Sequence, residues 1–134
     1  MKCTIALAFL LLLFTGCLDL LRYSERTYTH TLGILANGSR VCYFDMDESG
    51  AFSYELSSEV PVNILIAEAK DVVFNESTGE PVTEGLRCIT RAYNVKNYTE
   101  DIGLGEGSYA LIVADSESTI EVTIKTNIRM DCED

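Results

Sequence analysis

Phe52-Ser53-Tyr54-Glu55-Leu56-Ser57 is the stretch on which the fold turns. Phe52, Tyr54 and Leu56 fall on one side of an extended chain, and Ser53, Glu55 and Ser57 on the other. That period of two belongs to a strand, and one apolar face against one polar face marks a half-buried strand. Two later segments repeat it. Tyr109, Leu111 and Val113 alternate within residues 108–114, and Ile120, Val122 and Ile124 alternate with Glu121, Thr123 and Lys125. Residues 60–67 are nearly all apolar around Asn63; Val62, Ile64 and Ile66 are expected to face the core, with Leu65 and Ala67 on the outer side.

Working outward, residues 28–35, 40–45 and 88–95 are rich in β-formers, and residues 71–74 suit a short strand. Turn residues cluster at 36–39, 47–50, 103–107 and 115–118, and residues 75–85 read as a loop holding Gly79, Pro81 and Gly85. About eight short strands separated by turn signals predict an all-β fold, an antiparallel jelly-roll-like sandwich over residues 28–134. No long stretch has a helical period, which argues against parallel α/β architecture. The 134 residues allow one core and no second domain.

The N-terminus carries an address. Met1-Lys2 precedes an uninterrupted apolar run over residues 5–14. A spanning helix needs roughly 20 apolar residues, whereas a signal-peptide h-region is typically about 7–15. Residues 1–16 are therefore expected to be a signal peptide. The run ends in Phe14-Thr15-Gly16-Cys17, which resembles the lipobox of bacterial and archaeal lipoproteins, with Phe14 standing where that motif usually has Leu. The resemblance implies cleavage before Cys17, a lipid on its sulfur, and a tether over residues 17–27. An ordinary secretory signal with Cys17 incidental is the alternative, and it would leave a freely secreted domain. Loss of residues 1–16, whose only charged side chain is Lys2, takes the net charge from −11 to −12. No polybasic segment assists membrane binding, so attachment would rest on the lipid, where two acyl chains hold and one does not.

Three cysteines remain beyond Cys17, at Cys42, Cys88 and Cys132. An odd number in an oxidising compartment predicts one disulfide and one free thiol. Their wide spacing matches no zinc pattern. The first and last strands of a sandwich are often neighbours, which favours Cys42 with Cys132. Carboxylates beside Cys132 disfavour its thiolate, so it is no nucleophile. Asn37, Asn75 and Asn97 each open an Asn-x-Ser/Thr sequon at an expected turn or strand edge.

The second half of the strand layout resembles two known families. Phe52-Ser-Tyr-Glu-Leu56, Pro61-Val-Asn-Ile-Leu-Ile66, Leu104-Gly-Glu-Gly-Ser-Tyr-Ala-Leu-Ile-Val113 and Ile120-Glu-Val-Thr-Ile124 run in the order of pre-peptidase C-terminal domains and of the GOLD domains of cargo receptors. The resemblance spans residues 40–126 and implies a sandwich and a non-catalytic extracytoplasmic module. The chain departs from the cargo receptors in having no cysteine within residues 109–113, no coiled coil and no C-terminal membrane span.

Asp45-Met-Asp47-Glu-Ser49-Gly50 partly matches the start of a calcium loop, with Asp45, Asp47 and Ser49 as ligands. The match fails where a bidentate Glu is needed, since Leu56 stands there. A hairpin turn with solvated carboxylates is the main reading, and a non-EF calcium site the alternative. His30 is the sole histidine, and nothing in its spacing pairs it with a cysteine as nucleophile and base. Residues 103–107 resemble a phosphate loop only superficially, because a strand and not a helix follows. Tyr54 and Tyr109 belong to inward faces; Tyr23, Tyr93 and Tyr98 are candidates for exposure. No acid–base pair or metal cluster is visible, so no enzyme activity and no cofactor are expected. Strong negative charge argues against nucleic acid. The expected product is a lipid-anchored, extracytoplasmic module binding a protein or glycan at the cell surface. A structural envelope component is the competing reading.

Overall fold

The computed structural model describes residues 26–132. Seven strands follow in order: β1 Tyr28–Ile34, β2 Ser39–Met46, β3 Gly50–Glu68, β4 Thr90–Leu104, β5 Gly107–Ala114, β6 Ile120–Thr126 and β7 Asp131–Cys132. All pairings are antiparallel, in the order β1-β6-β3-β5-β2-β7, with β4 on the other edge of β3. The all-β antiparallel sandwich expected from the alternation is what forms. The expected signal peptide over residues 1–16, Cys17, and the expected tether up to residue 25 lie outside the described residues.

One continuous sheet folds over into two layers because β3 changes partners halfway. Its first half pairs β6 from Tyr54↔Thr126 to Ser57↔Thr123, and its second half pairs β5 from Asn63↔Ala114 to Glu68↔Tyr109. β4 follows β3 through both halves, with the register jumping between Ser57↔Asn97 and Val62↔Val95. The first layer is thus β1, β6, early β3 and late β4; the second is early β4, late β3, β5, β2 and β7. Residues 58–61 form the crossing and have no ladder partner, so Pro61, which lacks an N–H, sits there without losing a hydrogen bond. Asn94 takes φ +63° at the matching bend of β4, a conformation Asn tolerates better than most residues.

Three local expectations differ from the outcome. Residues 52–57 and 60–67 are one strand of 19 residues and not two, so the strand count is seven and not about eight. Residues 71–74 form no strand; a 3-10 turn occupies Ala69–Asp71, and Phe74 makes an isolated bridge to Pro81. Leu65 and Ala67, expected on an outer face, are buried. They join Val41, Leu86, Ala110, Ile112 and Ala114 in a second core. The segment between β3 and β4 lies over the second layer and supplies Leu86, Val72 and Cys88 to it. A nearly unbroken apolar run is what a strand covered on both faces requires.

The main core lies between the layers. Phe44 of β2 stacks on Phe52 of β3 with ring centroids 4.0 Å apart, joining one layer to the other. Tyr109 lies on Phe44, Tyr54 beside Phe52, and Tyr98 beside Tyr54, which makes an aromatic row across the core. Fully burying such side chains stabilises the fold by roughly 1.5–3 kcal/mol each. On the β1/β2 side, the Arg40 guanidinium donates to the Gly33 carbonyl at 2.8 Å. The chain after β6 then crosses from the first layer to the second. Asn127 starts it by extending the β6 ladder with its side chain: its Oδ1 accepts from Ser53 N at 2.8 Å and its Nδ2 donates to Ala51 O at 3.0 Å. Met130 is buried in the main core, and Cys132 is bonded to Cys42 directly across the β2–β7 pair.

Candidate functional site

The two outer faces of the sandwich are unlike. The second layer is covered by the β3–β4 segment, whereas the first layer is open. Its outer residues follow from the register. One row runs Thr29, Lys125, Glu55, Thr99, and the next runs Thr31, Thr123, Ser57, Asn97. Strand alternation turns all of these to solvent, because the residues between them, Leu56 and Ile124 among them, fill the core. The result is a carpet of hydroxyl and amide groups with few large side chains. Towards the end where β1 begins, this face sinks into an open depression of about 700 Å³. Ser53, Glu55, Thr99, Lys125, Arg26 and Asn127 are among the residues that line it. Two cations against one carboxylate make it the exception in a chain of net charge −11.

A second open depression, of about 880 Å³, lies at the same end between the β2–β3 turn and the chain leading to β7. It gathers Asp45, Asp47, Ser49, Asp131 and Arg129 along its walls. Asp45 accepts a hydrogen bond from the Ser108 hydroxyl at 2.6 Å. Among the described residues, no three His, Cys, Asp or Glu side chains come together as a cation site. Of the sequence-based trio, Asp45 lies in β2 and Asp47 and Ser49 in the β2–β3 turn, and all three line this depression.

The nucleophile and base candidates are held apart. His30 faces inward on edge strand β1, opposite Ile124, with Nε2 buried and without a partner. Burial first, then the charge of Arg129, pulls its pKa below the ordinary histidine value. Among the described residues Cys88 is the free cysteine; it packs on the outer core of the other layer, and its thiol points at the Leu86 carbonyl at 3.6 Å. Burial pushes that thiol's pKa up, against the opposing effect of Arg91. The remaining pair, Cys42 and Cys132, is the disulfide. Tyr54 donates to Glu100 at 2.9 Å, and burial together with this bond raises the phenol's pKa. Thr90 reaches the same carboxylate oxygen at 3.4 Å from the far half of β4, so Glu100 ties the two layers at their common edge. Tyr93 is exposed as expected, whereas Tyr98 is half-buried against the core.

All three sequon asparagines are exposed. Asn37 takes φ +61° in the β1–β2 turn, and its partner Ser39 is buried with its hydroxyl donating to Pro81 O at 2.8 Å. Asn75 caps a turn, its Oδ1 accepting from Ser77 N and Thr78 N. Asn97 lies on the open face of β4 two residues before Thr99.

Strand alternation had already turned Ser53, Glu55 and Lys125 outward in the sequence. What it could not show is that β3 and β6, distant in the chain, lie side by side and gather them.

No family model matches the chain, and no curated protein does. Solved structures do. The Yersinia pseudotuberculosis-derived mitogen superimposes with a TM-score of 0.55 at 16% identity, over 82% of this chain and 92% of that one. The pre-peptidase C-terminal domain of a collagenase from Bacillus anthracis gives 0.51 at 12% identity, over 78% and 89%. Identities this low speak for the fold alone. The chain is an antiparallel β-sandwich that shares its architecture with a pre-peptidase C-terminal domain and with a bacterial mitogen.

Proposed function

We propose that this chain is a lipid-anchored, extracytoplasmic β-sandwich that binds a protein or glycan and carries out no chemistry of its own. The observation that carries the reading is the asymmetry of the two outer faces. One is sealed by the β3–β4 segment over a second core, and the other is an open, hydroxyl-lined sheet with a depression of about 700 Å³. Groups that both donate and accept hydrogen bonds suit polar ligands. His30 and the Cys88 thiol lie on different layers, which supports a binding role over a catalytic one. The lipobox-like Phe14-Thr15-Gly16-Cys17 supports the anchor.

Intact mass of the protein from the membrane fraction of its native host, beside a Cys17→Ser variant, tests the anchor. A chain beginning at residue 17 with added lipid mass, lost in the variant, is expected. An unlipidated chain cut elsewhere would overturn the anchor and leave a secreted domain. A glycan and peptide array probed with the wild type and with Ser53→Arg, which fills the depression, tests the binding face. Signal that survives Ser53→Arg unchanged would remove this face from the proposal.

A further inference from the structure

The edge formed by β4 is the longest unguarded line in the described molecule. Its 15 residues pair only with β3, in both layers. Long free edges invite pairing with other chains, and proteins blunt them with bends, inward charges or a covering group. The first half of β4 is bent at Asn94, and Glu100 turns its carboxylate inward to Tyr54. Between these two devices stands Asn97, exposed, its side chain making no hydrogen bond among the described residues, with Thr99 exposed behind it. The other sequons are less free. The hydroxyl of Ser39 is buried against Pro81 O, and the amide oxygen of Asn75 is held by two backbone N–H groups.

We infer that Asn97 carries an N-linked glycan, and that the sugar shields the β4 edge from pairing with a second copy of the chain. The donor is an oligosaccharide linked through phosphate to a polyprenyl lipid. Asn97 Nδ2 forms a bond to the sugar's anomeric carbon as the carbon–oxygen bond to phosphate breaks. The lipid phosphate leaves with the electron pair, and the amide gives up one proton. The acceptor motif requires the hydroxyl at its third position, here Thr99. The inference rests on the extracytoplasmic part of the proposed function but not on the lipid.

Trypsin separates the sequons cleanly, since residues 27–40, 71–87 and 97–125 are three limit peptides with one sequon each. Protein taken from the native host is expected to show a sugar mass on residues 97–125. Asn97→Gln and Thr99→Ala, the second of which keeps the asparagine, are both expected to lose it. Both are also expected to sediment with more dimer and higher species than the wild type at matched concentration. An unmodified 97–125 peptide from the native host would overturn the inference. Sugar present, with variants as monomeric as the wild type, would overturn the shielding role. Lipid mass on residues 17–22 in the same digest reports separately on the anchor.

Discussion

Removing the Cys42–Cys132 bond should cost the sandwich a large part of its stability. The bond joins residues 90 apart in sequence, so it constrains nearly the whole described chain when unfolded. Loop-closure entropy for that length gives about 4.6 kcal/mol at 25 °C, and measured losses for small secreted domains run about 2–5 kcal/mol. For a domain of about 100 residues that corresponds to a fall in Tm of roughly 10–25 °C. The perturbation is Cys42→Ala with Cys132→Ala, with Cys88 changed to serine so that no thiol within the sandwich can exchange. Guanidinium unfolding of this chain and of its disulfide-bearing parent, each with and without reductant, isolates the contribution. Reductant should lower the parent's midpoint close to that of the variant and leave the variant unmoved. Cys42 is fully buried, so a small packing loss adds to the entropic term. A parent whose midpoint ignores complete reduction, or a variant within about 1 kcal/mol of it, would refute the reasoning that this bond stabilises by constraining the unfolded chain.

Leu65→Ala should destabilise by about 2–5 kcal/mol, as a core truncation does, where a solvent-facing leucine would cost under about 0.5 kcal/mol; denaturant titration decides whether the β3–β4 segment seals the second layer. Tyr54 has a raised pKa in the folded chain, so its contribution is whole below pH 10 and declines as pH rises beyond it, because the unfolded phenol ionises first. Tyrosinate absorbance should show a late component coincident with alkaline unfolding, absent from Tyr54→Phe. His30 has a lowered pKa, so its neutral form favours the native state: stability should hold above pH 6.5 and decline as pH falls through the folded value. Imidazole proton shifts with a midpoint at or above the ordinary histidine value would contradict this, and His30→Gln should flatten the decline.

The legible part of the fold was the part written in alternation. Phe52, Tyr54 and Leu56, Tyr109, Leu111 and Val113, and Ile120, Val122 and Ile124 all face the core as a period of two demands. Partner identity was not legible, because pairing between β3 and β6 depends on the path of the whole chain. Pro61 illustrates the limit. The sequence reading set it at the start of a separate segment over residues 60–67, yet it occupies the four-residue crossing where β3 has no ladder partner, so one strand passes through it. Leu65 and Ala67 went to the wrong environment for a related reason. Their alternation placed them opposite Ile64 and Ile66 correctly, but whether that second face meets water or protein depends on a loop whose docking leaves no periodic trace. The Cys42–Cys132 pairing is the expected one, but the strand beside the last, β7, is the second, β2, while the first, β1, pairs β6. The candidate face was half legible: the outward directions of Ser53, Glu55, Ser57, Thr123 and Lys125 were readable, while Asn97 and Thr99, beyond the strand expected over residues 88–95, and the assembly of four strands beneath them were not.

The path of β3 sets a timetable for the protein's manufacture. β3 belongs to both layers, and every strand it pairs with, β4, β5 and β6, comes later in the chain. β1 waits for residues 120–126, and the strand that locks β2 ends at Cys132. Contacts this distant in sequence form slowly. A chain threaded through a membrane pore from its N-terminus therefore has no finished layer to jam the passage until almost all of it has crossed. On the export route proposed above, the oxidation that joins Cys42 to Cys132 would then come last, on the far side, and fix a fold assembled after passage.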